Sequence, residues 1–155
     1  MIRGRLLGID HGLKRLGLAV CDTSWLVARE LAIITRGSRL QDFDRIRQIT
    51  AELQIVAIVV GVPTNYEAWP GQQDQAATVR KWADRLAAAT SLPVILWDEQ
   101  LSTSDARDLA RQQRRKPDAP VDDLAARVIL QSYIDAIHDN LVEPPPFGAG
   151  ESLAE

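Results

Sequence analysis

Three sets of acidic residues, far apart in the chain, stand where carboxylates can do chemistry. Asp10 follows one apolar run, Asp98 and Glu99 follow another, and Asp122 and Asp123 open the last helical stretch. In an open α/β sheet, function collects at the carboxyl ends of the strands. Three such acidic sites can therefore converge on one edge. Their oxygens are hard ligands that suit Mg²⁺ or Mn²⁺, ions that keep several waters and bind phosphates. Two such ions can activate a water and stabilise the leaving oxygen when a phosphodiester is cut. A plainer reading stands beside this one: Asp after a strand is a common turn residue, and Asp at a helix start is a common cap.

No other chemistry is signalled. The chain has no P-loop, no G-x-S-x-G and no C-x-x-C pattern. His11 and His138 are too isolated in sequence for a zinc site. His11, next to Asp10, is either an aid to proton transfer or a turn histidine.

Candidate binding residues surround the acids. Gly12 lets a backbone approach closely, to a phosphate or simply in a turn with positive φ. Lys14 is expected to meet phosphate more than Arg15, whose alternative is a solvated hairpin turn. Arg107, Arg111, Arg114, Arg115 and Lys116 form a local basic run, in which Arg107, Arg111 and Arg114 (or Arg115) share a helical face. Such a face grips a nucleic-acid backbone in a salt-sensitive way, although charge runs are also ordinary solvated faces. Asn65, Tyr66 and Trp69 stand in a loop after a buried strand. The aromatics there can stack on unpaired bases or pack on a neighbouring helix. Trp82 and Trp97 read as packing residues.

The elements that must position these residues follow from periodicity. Residues 6–9 and 16–20 are short apolar runs around a Gly-containing turn at 10–15, a hairpin. A third strand with an irregular approach is expected within 25–35. Phe43, Ile46, Ile49 and Leu53 have helical spacing, with Asp42 as N-cap of a helix over 42–53. The run IVAIVV at 55–60 is β-branched and nearly all apolar, which suits a parallel strand buried on both faces, and Gly61-Val62-Pro63 stops it. A loop follows at 64–71, then a helix over 73–90, with Ala76, Val79, Ala83 and Leu86 on one stripe. A short strand is expected at 94–97. A helix over 102–115, capped by Ser102 or Thr103, comes next, then a break at 117–120 and a last helix over 121–138. Three strands followed by β–α alternation give a mixed sheet with helices on its faces.

The chain of 155 residues is the size of one domain, expected over 1–140, with 141–155 and its Pro144–Pro146 run as a disordered tail. The single cysteine, Cys21, cannot form an internal disulfide and reads as a reduced packing residue on a strand. The N-terminus runs straight into a strand without the apolar stretch of a secretory signal. No apolar run reaches the ~18 residues that span a bilayer. A soluble, cytoplasmic protein without membrane partners is expected. The formal net charge of -3 argues against a globally basic nucleic-acid binder and leaves room for a local basic patch.

Four segments, in order, carry a resemblance. LLGIDHGLKRLGLAVCD (6–22), IVVGVPTN (58–65), DEQLSTSDA (98–106) and VDDLAARVILQSYID (121–135) resemble the motifs of the YqgF/RuvX family of RNase H-like nucleases. The resemblance covers Leu6 to Asp135. It implies an α/β, RNase H-like three-layer fold with a mixed five-stranded sheet flanked by helices. It also implies a metal-dependent endonuclease, a hydrolase using Mg²⁺ or Mn²⁺. By motif position it makes Asp10, Glu99 and Asp122 both the metal ligands and the catalytic acids, with Asp123 the poorer match. It points to 5′-end maturation of the small-subunit (16S) ribosomal RNA precursor, and so to precursor RNA and pre-ribosomal particles as partners. Two alternatives stand beside it. One is a Holliday-junction resolvase on four-way DNA, which needs a two-fold dimer. The other is a non-catalytic RNA-binding assembly factor, against which the retained acids count. The sequence shows no evident dimer surface, so a monomer or a weak homodimer is expected. Departures from the family pattern at Leu13, Gln100, Asp105 and the Tyr66–Gly71 loop spare the three acids and bear on substrate contacts.

Overall fold

The computed structural model describes residues 4–63, 75–98 and 102–145, with side chains of the last segment from Asp105 onward. Glu99, Gln100, Asn65, Tyr66, Trp69 and the expected 64–71 loop lie outside the described residues.

The chain runs β1 (Arg5–His11), β2 (Arg15–Cys21), β3 (Ala28–Thr35), α1 (Arg39–Glu52), β4 (Ile55–Val62), α2 (Gln75–Thr90), β5 (Val94–Asp98), α3 (Ser102–Gln112), α4 (Asp122–His138). This is the expected order of elements. The five strands form one sheet in the order β3-β2-β1-β4-β5. β1, β2 and β3 are antiparallel neighbours, whereas β4 and β5 run parallel to β1. The carboxyl ends of β1, β4 and β5 therefore share one edge.

Strand alternation divides the core in two. Leu7, Ile9, Leu16, Leu18, Ile58 and Val60 face α1 and α2, which answer with Phe43, Ile46, Val79, Trp82 and Leu86. Leu6, Ala19, Cys21, Ala57 and Val59 face α4, which answers with Ile129, Leu130, Tyr133 and Ile134. α3 lies outside this layer and docks on α4 through Ala106, Ala110, Leu124 and Ala125. β4 is buried on both faces, as its unbroken apolar run requires.

Three local expectations are corrected. First, β1 continues through Asp10 and His11, which pair with Gly17 and Leu16. The turn is only Gly12, Leu13 and Lys14, closed by the Gly12 N–H donating to the Arg15 carbonyl at 3.0 Å. Second, Ser38 caps α1 in place of Asp42. Its hydroxyl accepts from the Gln41 N–H, and the Gln41 side chain accepts from the Ser38 N–H, a capping box. Asp42 sits one turn further in, buried, and accepts from Gly37 N–H and Arg36. Third, α3 ends at Gln112 rather than 115. Arg114 has φ 58°, the Arg114 N–H donates to Arg111 and the Arg115 N–H to Ala110. That is a Schellman end with arginine in the left-handed position that glycine usually takes, so Arg114 does not extend the helical face of Arg107 and Arg111.

Past the end of α4, Val142 packs against the α4 cluster and Pro145 is buried.

Candidate active site

Two glycines let α4 lie close on the sheet. Asp10 is directly opposite Gly17 in the β1–β2 ladder, and opposed residues project to the same face. That face is the one α4 covers, because Leu6, Gly8 and Asp10 alternate onto it. A Cβ on Gly8 would come within 2.8 Å of the Leu130 Cβ. A Cβ on Gly17 would come within 1.8 Å of the Asp122 carbonyl oxygen and 2.9 Å of the Asp123 nitrogen. No side chain fits between β2 and the first turn of α4. Asp122 is thereby set against the strand beside Asp10, and both carboxylates are half-buried on one face of the sheet edge.

The two adjacent aspartates of α4 have different partners. Asp123 is buried and accepts two hydrogen bonds from Arg115, at 2.9 and 3.0 Å, and one from the Leu124 N–H. Arg115 also approaches Glu30 at 3.8 Å, so it ties the α3–α4 connection to β3. Hydrogen bonding to Asp123 raises the Arg115 pKa further. Asp122 instead turns to the sheet edge, where Arg15 Nε donates to its Oδ2 at 2.9 Å. Geometry thus separates a structural acid, Asp123, from an available one, Asp122.

At β5, register places Ile9, Val60 and Leu96 at one level. Asp98 pairs with Val62, a residue of the α1–α2 face, whereas Trp97 packs with Tyr133 of α4. Alternation therefore turns Asp98 away from Asp10 and Asp122. Among the described residues no three His, Cys, Asp or Glu side chains are grouped to hold a metal ion. Asp10 and Asp122 supply two hard oxygen donors, with the Arg15 cation seated on one of them, a donor set that fits a divalent cation.

The basic residues separate into roles. Arg107, Arg111, Arg115 and Lys116 border a cavity of about 320 Å³ that is closed by Val121, the residue before Asp122. Arg111 pairs with Asp108 at 2.6 Å, and Arg115 is committed to Asp123. Arg107 and Lys116 remain exposed, while Arg114 lies outside the cavity lining. Lys14 is exposed at the hairpin tip. Gly12 is required there by space, since a Cβ would meet the Arg15 carbonyl at 2.6 Å; its φ is not in the positive region that the turn reading allows for.

His11 is a strand residue whose side chain lies on the face opposite Asp10. Its ring stacks edge-on to Trp82 at 4.7 Å and sits 3.3 Å from Arg36. Burial, then the Arg36 charge, lowers its pKa to about 4. It is neither a turn histidine nor placed to serve the acids. Cys21 is buried, accepts from the Leu6 N–H at 3.2 Å, and is pushed up to about 11 by burial. It is the packing residue expected. Trp82 is buried in the core and Trp97 donates to Ser132 at 3.1 Å, both in packing roles. His138 is hydrogen-bonded to the Trp25 carbonyl at 2.7 Å.

Sequence reasoning missed Gly17 and the pairing of Arg15 with Asp122. Gly17 shares the face of Asp10 by simple alternation across a hairpin, a signal that was present. The partner of Arg15 lies in the last helix, and no local pattern could have shown it.

A mixed five-stranded sheet in this order, helices on both faces, and acids at the end of the first strand and the start of the last helix define the RNase H-like class. A solved structure of Thermus thermophilus RuvC in complex with a Holliday junction substrate has the same fold, with TM-score 0.57, 17% identity and coverage of 88% of this chain and 96% of that one. The chain belongs to the RuvX family, whose model, described as "Holliday junction resolvase", matches residues 4–136. Among its relatives is a protein of Thermoanaerobacter pseudethanolicus, 39% identical over 85% of this chain and 96% of the relative. Another, from Syntrophus aciditrophicus, is 38% identical over 96% of this chain and 99% of the relative. Both carry the name "Putative pre-16S rRNA nuclease". The family resemblance read from the four motifs is thereby established. Among the described residues no helix is long and apolar enough to cross a membrane.

Proposed function

We propose that this chain is a divalent-metal-dependent endonuclease that acts on RNA in 5′-end maturation of the small-subunit ribosomal RNA precursor, in the cytoplasm and on pre-ribosomal particles. The observation that carries the reading is the seating of Asp122 on Gly17, opposite Asp10, with Asp123 withdrawn into a structural ion pair. The names of the relatives at 38–39% identity support the substrate class.

Asp10, Glu99 and Asp122 are the residues that would hold Mg²⁺ or Mn²⁺. Asp98, the other acid at the end of β5, faces away, which leaves Glu99 as the candidate there. Held by these acids, such an ion would supply a water of lowered pKa and positive charge for the scissile phosphate. The chain's own residues do the rest. Arg15 orients the Asp122 carboxylate. Arg107, Arg111 and Lys116 hold the phosphodiester backbone beside Val121. Gly12 and Lys14 at the hairpin tip, and Asn65 after β4, contact the strand near the cut. Arg114 and Arg115 contribute positive field more than direct contact.

The test is cleavage of a short single-stranded RNA carrying the precursor's 5′ flank, with Mn²⁺ or Mg²⁺, beside an Asp10→Asn variant. Metal-dependent cutting that the variant loses is expected. Equal cutting by the variant would remove the mechanism.

A second reading is favoured by the family model's own description, a Holliday junction resolvase. It requires paired, symmetric cuts in a four-way DNA junction and hence a two-fold dimer. The same assay with a junction substrate decides: symmetric nicking of the junction without RNA cutting would replace the first reading by the second.

A further inference from the structure

A second basic cavity lies on the other side of the same sheet edge. It has a volume of about 380 Å³, with Arg36, Arg39, Lys81 and Arg85 around it, His11 and Trp82 lining it and Leu13 beside them. Lys81 and Arg85 are one turn apart on α2, which puts them on one helix face. Arg36 precedes α1 and Arg39 opens it.

Among the described residues the charge there is unbalanced. Arg36 is paired with Asp42 at 3.4 Å, but Asp42 is itself only 2% exposed and does not line the cavity. Among the described residues Arg39, Lys81 and Arg85 make no ion pair, and no carboxylate lines the cavity. Like charges held together repel, and in a chain of net charge -3 such a group is not an average of the surface. An anion is the ligand that relieves it. The floor is aromatic, because the His11 and Trp82 rings meet at 4.7 Å, and the rim carries Leu13, an aliphatic side chain 83% exposed. Cations around an apolar floor and rim suit a phosphate with an unstacked base attached better than a bare anion.

Position supplies the direction. Asp10 and His11 are consecutive in β1 and project to opposite faces of the sheet, so the cavity and the acid pair share one strand end. Only the turn at Gly12, Leu13 and Lys14 separates them, and Arg36 donates to the Gly12 carbonyl at 2.9 Å, which fixes that turn to the cavity wall.

We propose that this cavity is a second phosphate-binding site. It holds backbone phosphates of the single strand that passes from the acid pair over the β1–β2 turn, with Leu13 against one of its bases. The inference rests on the nuclease reading for its ligand, and it adds a subsite on the far face of the sheet that anchors the flank of the cut strand.

The experiment measures binding, apart from cutting. Fluorescence anisotropy of a labelled single-stranded RNA is followed on the full chain carrying Asp10→Asn, with and without Lys81→Ala plus Arg85→Ala. Both substituted side chains are exposed, so the melting temperature should hold; Arg39→Ala, at the other side of the cavity, is a second variant should it not. The expected result is affinity about tenfold weaker and a salt slope smaller by about 1.4, the value for two single-strand phosphate contacts. Lys81→Arg plus Arg85→Lys should retain both. Unchanged affinity and slope in the alanine variants, while the unsubstituted protein cuts RNA, would overturn the second site and leave the nuclease standing. A glutamate-rich peptide of matched charge that displaces the RNA equally well would also overturn it, in favour of an acidic protein partner. Absence of metal-dependent cutting with the affinity loss intact would instead overturn the nuclease reading alone.

Discussion

Arg15 and Asp122 are joined across 107 positions of sequence by a 2.9 Å hydrogen bond between guanidinium and carboxylate. The next residue, Asp123, is held by a different arginine in a different place. This division predicts opposite phenotypes for two neighbouring substitutions. Asp122→Asn should leave the melting temperature nearly unchanged and lower RNA cutting at least about a hundredfold, since even outer-shell changes at metal sites cost 10–100-fold. Asp123→Asn should lower stability by about 2 kcal/mol, below the range for fully buried pairs because Arg115 retains some exposure, and should retain cutting at temperatures where the protein is folded. Melting curves and single-turnover assays on both variants check this. A reversal of the two phenotypes would move the catalytic assignment to Asp123.

The same ion pair makes a prediction about metal affinity. Arg15 occupies a carboxylate oxygen that an incoming cation would need. Its side chain is 44% exposed, so the pair contributes within the 0.2–1 kcal/mol of surface pairs, about one to fivefold in an equilibrium constant. Arg15→Gln should therefore bind Mn²⁺ up to about fivefold more tightly by calorimetry, while a less well oriented Asp122 slows cutting. Weaker binding in the variant would show that Arg15 organises the site for metal rather than competing with it.

Gly17→Ala tests the seat beneath the site. Its Cβ would fall 1.8 Å from the Asp122 carbonyl oxygen, and that atom is backbone, so the first turn of α4 must move. The expected outcome is loss of cutting together with a destabilisation of about 1–3 kcal/mol, the usual range for overpacking. Gly8→Ala meets mainly the Leu130 side chain at 2.8 Å and the Ala126 carbonyl at 3.1 Å. It should destabilise comparably yet keep more activity, because the helix start is untouched. Equal activity in the wild type and Gly17→Ala would show that α4 need not be seated there for catalysis.

These relationships mark what the sequence could and could not disclose. Element order was legible because periodicity and breakers are local: the apolar run at 55–60 could be little else than a central strand. Boundaries failed where side chains imitate backbone signals. Asp42 looks like a cap because it does accept a backbone N–H, from Gly37, but from inside the first turn. Arg114 ends α3 in a conformation that arginine seldom takes, so nothing in its type announced the stop. Asp10 reads as a turn residue by propensity, yet the ladder with Gly17 holds it in the strand. Asp122 and Asp123 are indistinguishable by type and position. They are told apart by Arg15 and Arg115, whose reach depends on how α4 crosses the sheet.

Cys21 provides a pH test independent of the active site. Its folded pKa is raised from 9.0 to about 11, chiefly by burial, so the fold favours the neutral thiol. The resulting stabilisation of the protonated form is fully present below pH 9 and is lost as pH rises from 9 through about 11. A rise of this size corresponds to about 2–3 kcal/mol, of which on the order of 2 is expected after discounting for residual solvent screening. Denaturant unfolding of the wild type and Cys21→Ala at pH 8 and pH 11 separates the thiol from other groups that titrate in the same range. The wild type should lose more stability than the variant between the two pH values. Alkylation of the folded wild type should also be slow at pH 8, because the thiol is both protonated and only 2% exposed. Equal losses in the two proteins, or rapid alkylation at pH 8, would mean that the α4 face of the sheet opens readily. In that case the packing that seats Asp122 against Gly17 would be equally transient.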